Sequence, residues 1–357
     1  MRTGIAHLPL HHGRAPSWLF QRMRRLAREI VLFIIDNYGC EEMLLRLSDP
    51  FWFQAFGCVL GFDWHSSGVT TTVCGALKEG VKGMEKELGF YVAGGKGRVS
   101  RKTPQEIETH CHEQSMDGTP LIYASRMSAK VDSAAVQDGY QLYHHCFFFT
   151  EKGSWAVVQQ GMNEKTRYAR RYHWWSQGLK DFVCEPHWAV CCDHREKGLN
   201  LVALESDQAR RSMIELSHEQ PELLMTEGLK IGKLRLPKEH AIPMETFRLE
   251  RLEKCFLRIY EQSPRDFEEL LGIPGVGPKT LRALSLISEL IHGVTPSFRD
   301  PTRFSFAHGG KDGHPYPVDR KTYDQSIEAL ATALEKARIG DREKIEAVRR
   351  LKGFAGA

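Results

Sequence analysis

Apolar positions recur at helical spacing over Pro16–Asn37, where Leu19, Met23, Leu26, Ile30 and Ile34 share one face. A second helical stretch, Cys40–Arg46, stops at Ser48-Asp49-Pro50. Phe51–Phe62 is apolar and aromatic enough to belong in a core, and Thr70–Leu88 reads as helix. The period then changes. Phe90–Ala93 reads as a strand running into Gly94-Gly95-Lys96-Gly97-Arg98, and Thr103-Pro104-Gln105-Glu106 has the form of a capping box opening a helix. Gln141–Thr150 and Trp155–Gln160, joined by Glu151-Lys152-Gly153-Ser154, predict a β-hairpin. Ser206–Gly228 is helical with a break before Pro221, and Lys230–Pro243, with two prolines, suits a linker. The fold class expected is α+β: a mixed domain over 1–235 carrying the β-hairpin, and an all-α domain over 244–357.

The helical pattern of the second part is interrupted once, at Gly272-Ile273-Pro274-Gly275-Val276-Gly277-Pro278-Lys279-Thr280. Before it runs Arg265–Leu271. After it, Leu281, Leu284, Ile287, Leu290 and Ile291 line one face, so 265–291 reads as helix, tight turn, helix. Glycine permits positive φ and close backbone approach. Pro278 suits a first helical position, and the N–H groups that follow, at the positive end of the dipole, suit a phosphate. Gly275, Val276, Gly277, Lys279 and Thr280 are therefore candidates for gripping a nucleic-acid backbone without reading its sequence. The plain alternative is a connector with Lys279 solvated. Further on, His314–Tyr323 breaks regular structure with two prolines and places Asp319 before another helical run; alone, Asp319 reads as a helix N-cap.

Taken together, the turn, Lys279 two residues after its last glycine, and a later aspartate before a helix resemble the helix-hairpin-helix DNA glycosylases of base-excision repair, in particular the endonuclease III branch. The resemblance covers about residues 244–340. It implies that Lys279 is the nucleophile and Asp319 the essential carboxylate, in the loop 314–323. Two departures stand out. Forty positions separate Lys279 from Asp319, roughly double the gap usual in that family, so Gly293–Pro317 has to loop out. No cysteine follows Cys255, so the iron–sulfur cluster common in that branch has no ligands in its usual place, and no cofactor or metal is expected. Met1–Ala6 and Gly61–Gly68 also resemble an uncharacterised prokaryotic family of unknown function.

The implied chemistry is physically coherent. A neutral lysine attacks C1′ of a deoxynucleotide, the base departs as the sugar gains oxocarbenium character, and an imine forms. A helix N-terminus and partial burial both favour the neutral amine. A carboxylate at Asp319 would stabilise the developing charge and help deprotonate Lys279. The target base must first leave the stack, which is cheaper for a damaged one. The expected activity is a bifunctional DNA glycosylase and AP lyase on double-stranded DNA. Resemblance to the endonuclease III branch implies a modified pyrimidine of the 5-hydroxy-, 5-hydroxymethyl- or thymine-glycol type.

Composition constrains this only loosely. Lys and Arg number 49 against 45 Asp and Glu, too even for a nucleic-acid-coating tail, so a DNA surface has to be a local patch. No apolar run suggests a membrane span, and no signal peptide is evident. Nine scattered cysteines suggest reduced thiols in a cytoplasm; the two resemblances imply that it is prokaryotic and that the protein is nucleoid-associated, and a monomer is expected. Lys96 and Arg98, in a flexible basic loop, suit phosphates, or are simply solvated. Lys165–Lys180 interleaves Arg170 and Arg171 with aromatics, as a base-stacking surface does, or else forms a helix with arginines outside. Gln159 and Gln160 suit a base edge or an ordinary strand end. Cys184, His187, Cys191 and His194 are metal-ligand types without a common zinc spacing. Trp64–Gly68 lacks the elbow and acid of a serine hydrolase. Two other functions fit: a structure-specific, metal-dependent DNA nuclease using the turn only as a clamp, although the first part shows no strand-borne Asp-x-Asp or Glu-x-Lys; and a DNA-binding adaptor.

Overall fold

The computed structural model describes residues 15–62, 67–192, 195, 197–231, 249–302, 328, 330–337 and 339–355. Asp319, His314–Tyr323, the linker core 232–248 and Trp64–Ser66 lie outside the described residues.

The chain begins with four helices: α1 (Ser17–Tyr38), α2 (Cys40–Ser48), α3 (Pro50–Leu60) and α4 (Gly68–Val81). Each boundary has a local cause. Gly39, at φ +85, separates α1 from α2, and the Asp49 carboxylate accepts the Phe51 and Trp52 amides (2.8 and 3.1 Å) to cap α3, with Pro50 at its first position. A short α5 (Glu85–Leu88) leads into β1 (Phe90–Lys96), then α6 (Thr103–Glu113) and α7 (Thr119–Lys130). The expected capping box is not formed. Glu106 instead bonds the Gly94 amide (2.7 Å) and Lys78 (2.6 Å), tying the helix to β1.

A π-helical turn, Val131–Ala135, and the two-residue β2 (Val136–Gln137) precede β3 (Gln141–Thr150), β4 (Trp155–Asn163), β5 (Tyr168–Trp175) and β6 (Ala189–Cys191). The hairpin of β3 and β4 falls where the alternation placed it. With β1 these strands form one antiparallel sheet in the order β1-β3-β4-β5-β6, while β2 pairs with β7 (Leu199–Asn200) in a second, two-stranded one. The class is α+β. The 165–180 segment corrects one expectation: it is the interior strand β5 and its exit, not a helix.

Side-chain alternation sends the sheet into two cores. Phe90, Val92, Cys146, Phe148, Ala156 and Val158 face α1–α4, joined by Leu330, Ala333 and Leu334 of helical residues 330–336 and by Ala347 and Leu351. Tyr91, Ala93, Phe147, Phe149, Val157 and Trp174 face α6, α7 and the helices that follow β7: α8 (Asp207–Ser217), α9 (Pro221–Ile231), α10 (Leu249–Gln262), α11 (Phe267–Gly272) and α12 (Pro278–His292). The last described helix is α13 (Asp341–Ala355). Burying a side chain the size of Phe is worth roughly 1.5–3 kcal/mol. The run Phe147-Phe148-Phe149 therefore fastens both helical layers to one strand. Each core draws residues from both sides of the boundary expected near 235–244, so burial does not follow that boundary. No helix among the described residues is long and apolar enough to cross a membrane.

Candidate functional site

The turn between α11 and α12 has the geometry the glycines anticipated. Asp266 caps α11 by accepting the Glu269 amide (2.8 Å), Gly275 takes φ +96, and the Val276 amide returns to the Ile273 carbonyl (3.1 Å). Gly277 is the N-cap of α12, and Pro278 occupies its first position. Ile273 and Val276 are buried, so the turn is pinned from beneath. Lys279 is exposed on the first turn of α12; the partial burial expected for it is not met. The Thr280 side chain is buried with its hydroxyl toward the Cys255 sulfur (3.5 Å), so only its backbone suits a phosphate.

The carbonyls of this turn are held from behind. Lys130 Nζ donates to Ile273 (3.5 Å), Arg258 to Pro274, and Gln137 Nε2 to Pro278 (2.8 Å). Gln137 Oε1 in turn accepts from Arg282 Nε (2.7 Å). With these carbonyls engaged, the first turn of α12 still offers the N–H positions of a helix start and the positive end of its dipole. Lys130 is also half-buried, and burial lowers its pKa from the ordinary lysine value. Sequence reasoning missed it because nothing in the pattern around residue 130 places it there.

The same segment carries a buried polar cluster. Asp138, next to Gln137, accepts from Arg170 Nη1 (2.6 Å) and from the Tyr172 hydroxyl (2.8 Å), and Arg170 Nη2 donates to Asp300 (2.7 Å). Burial works against the Arg170 charge, but the two carboxylates outweigh it and raise its pKa well above the ordinary value. Burial likewise opposes the Asp300 charge, and Arg170 outweighs it to hold that carboxyl low. Alongside, the carboxylate of Asp132 in the π-helical turn accepts from Gln159 Nε2 (2.6 Å) and Trp174 Nε1 (3.0 Å) and contacts His187 Nε2. Gln159 Oε1 meets His145 Nδ1 (2.8 Å), whose Nε2 meets Ser125 Oγ (2.9 Å).

Several candidates for nucleic-acid contact are thus placed elsewhere. Arg170 and Arg171 are fully buried, as are Gln159 and Gln160, so none is a surface contact; each lies between the sheet and a helical layer. The sheet also divides them. Arg170 and Gln159 face the helices of the α11–α12 turn, whereas Gln160 and Arg171 face α3 and α4 and cannot share a pocket with Lys279. Gln160 Nε2 donates to the Ser67 carbonyl (2.8 Å), and Arg171 lies over the Phe53 ring (4.9 Å) and donates to Gln54 Oε1 (3.1 Å). Lys96 and Arg98 remain exposed. The metal reading of Cys184, His187, Cys191 and His194 finds no geometry. His187 bonds Asp132 on one face of the sheet, Cys191 registers with Arg171 on the other, and His194 lies outside the described residues. No group of three or more His, Cys, Asp or Glu among the described residues is arranged to hold a metal.

An α+β protein whose sheet separates two helical layers, with a tight helix–turn–helix docked on one of them, is what the structure defines. Residues 4–318 match the model of a family described as a protein of unknown function, DUF763, and the chain belongs to that family. No curated protein and no solved structure matches it.

Proposed function

We propose that this protein is a DNA-repair enzyme, a glycosylase with associated AP lyase activity that removes a modified pyrimidine from double-stranded DNA. One observation carries the reading. The α11–α12 turn has its carbonyls engaged from behind by Lys130, Arg258 and Gln137, and holds Lys279 exposed where the phosphate-binding end of α12 begins. A DNA strand gripped there brings a deoxyribose toward the Lys279 amine, and the docked duplex supplies the burial that the free protein lacks. The amine attacks C1′ and the base leaves with the C1′–N bond pair; the attached nitrogen loses a proton, and the C1′–O4′ bond then breaks, its electron pair and a proton going to O4′, to give the ring-opened imine. Removal of a 2′ proton then expels the 3′ phosphate and cuts the strand.

Asp319 is the carboxylate assigned by resemblance. The structure adds Asp300 as another candidate, not given by the resemblance: it follows Lys279 by 21 positions and is joined through Arg170 to Asp138, the neighbour of the residue that clasps Pro278. Asp300→Asn, tested beside Asp319→Asn, separates the two.

The test is covalent trapping. Protein is mixed with duplex containing an abasic or 5-hydroxymethyl-pyrimidine site, in EDTA, and borohydride is added. A DNA–protein adduct is expected from the wild type and none from Lys279→Ala. Lys130→Ala should still trap. Asp319→Asn should lose base release while retaining DNA binding. The absence of an adduct on every abasic substrate would sink the lyase chemistry, and cleavage that EDTA abolishes would favour the metal nuclease instead.

A further inference from the structure

The basic stretch after β1 is a built turn rather than the flexible loop expected. Gly97–Lys102 forms a 3-10 turn in which Ser100 Oγ bonds the Gly97 carbonyl (2.6 Å) and Thr103 Oγ1 bonds that of Ser100 (2.8 Å). It exposes four cations within seven residues: Lys96, Arg98, Arg101 and Lys102. None of the four forms an ion pair among the described residues. The nearby carboxylate, Glu106, is committed to Lys78 (2.6 Å) and the Gly94 amide (2.7 Å), and so does not neutralise them. Four like charges held together on a fixed backbone repel one another. A surface of this kind is complementary to a regular array of anions.

Its position in the fold narrows the partner. Lys96 pairs in register with His144, His144 with Gln160, and Gln160 with Arg171, so the end of β1 lies level with Arg171 in the first half of β5. Strand separations of about 4.8 Å put these two points roughly 14 Å apart. Arg170, adjoining Arg171, is bound to Asp138, whose neighbour Gln137 holds the Pro278 carbonyl at the start of α12. The basic turn and the helix–turn–helix are therefore both tied to the same end of the sheet.

We infer that the turn Lys96–Lys102 is a second clamp on the phosphate backbone of the duplex held by the α11–α12 turn, engaging it without reading sequence. This rests on duplex DNA being the substrate class of the proposed function. It adds Arg101 and Lys102 to the DNA surface and assigns the turn, rather than the buried β5 arginines, as the source of charge-driven affinity.

The experiment is fluorescence anisotropy with an unmodified duplex, titrated from about 50 to 300 mM salt, for the wild type and the triple variant Arg98→Ala/Arg101→Ala/Lys102→Ala. Removing one cation–phosphate pairing flattens the dependence of log K on log salt by about 0.9. The triple variant is therefore expected to lower the slope by about 2–3 and weaken low-salt binding roughly ten- to hundredfold, with an unchanged unfolding midpoint because the residues are exposed. Lys152→Ala, in the turn at the opposite end of β3 and β4, is the control and should leave the slope alone. An unaltered slope in the triple variant, an equal drop in the control, or no duplex binding by the wild type would overturn the inference. Failure of the two proposals is distinguishable. Trapping through Lys279 with an unaltered slope removes only the second clamp, whereas a lowered slope without trapping removes only the lyase chemistry.

Discussion

His145 is fully buried and its protonation state is dictated by its neighbours. Gln159 spends its Nε2 on Asp132 and on the Ser128 carbonyl (2.6 and 3.2 Å), so its Oε1 is left to accept, and His145 Nδ1 must donate. His145 Nε2 is then the acceptor for Ser125. The ring is neutral with one tautomer, and a second proton would break the Ser125 bond. Burial lowers its pKa from 6.5 to about 4, against a smaller opposing effect of Gln159. Burial also lowers that of His144, to about 3. The sign follows from linkage. With the folded pKa depressed, this stability is fully present above the unfolded value near 6.5 and drains away as pH falls toward 4, because the unfolded chain takes up the proton first. At about 1.4 kcal/mol per unit, His145 alone contributes on the order of 3 kcal/mol. Urea midpoints should therefore drop steeply between about pH 6.5 and 4, and His145→Gln should flatten the profile. A flat wild-type profile across that window would show that the ring is not held neutral.

At the scale of elements, the α11–α12 turn depends on one backbone angle. Gly275 sits at φ +96, and a Cβ there meets Arg258 Nη1 at 2.9 Å, the same group that holds the Pro274 carbonyl. Alanine should cost roughly 1–2 kcal/mol through the left-handed backbone and loosen the turn. Gly228, inside α9 with open space around it, should respond oppositely and gain about 0.5–1 kcal/mol. Chemical denaturation of both variants checks the pair; shifts of the same sign would mean the turn carries no strain. This element was legible because Gly-x-Gly-Pro between two apolar periodicities has few other meanings. The β3–β4 hairpin was legible because its turn residues bracket two runs of strand formers. Strand β5 was not. An interior strand covered on both faces loses the alternation that betrays half-buried strands, and Arg170 and Arg171 read as surface charges although each is buried against a different layer. Sequence shows that an arginine is present; it does not show that Asp138 and Asp300 wait 32 residues before it and 130 after. The pairing of Thr103 with Glu106 failed for a similar reason, since Lys78 and the Gly94 amide, distant in sequence, compete for that carboxylate. The candidate site divides likewise: the turn and Lys279 could be read from the chain, but Lys130 and Gln137 at its back could not.

Over the whole molecule, a single sheet serves two helical layers assembled from remote parts of the chain. The layer of α1–α4 is completed by α13, whose Ala347 and Leu351 are buried and whose Arg350 donates to the Val59 carbonyl at the end of α3 (2.9 and 3.2 Å). Deleting residues 341–355 should cost roughly 3 kcal/mol or more, as loss of a packed Leu and its neighbours does. Protease sensitivity should rise in α1–α4 first, with α8–α12 protected longer. Equal stability with and without α13 would mean the contact is superficial. The basic turn and the α11–α12 turn fall at one end of the sheet, whereas α13 closes on the helices of one face, so loss of α13 should act on DNA binding through folding alone.

The seating of α13 on α3 also sets an order in time. The ribosome makes residues 341–355 some 280 residues after α3, and by then the sheet and the α11–α12 turn have already emerged. The helical layer made first is thus the last to be finished. During synthesis its unsealed apolar surface is the part of the nascent chain that a chaperone would meet, while the helices that present Lys279 can already dock.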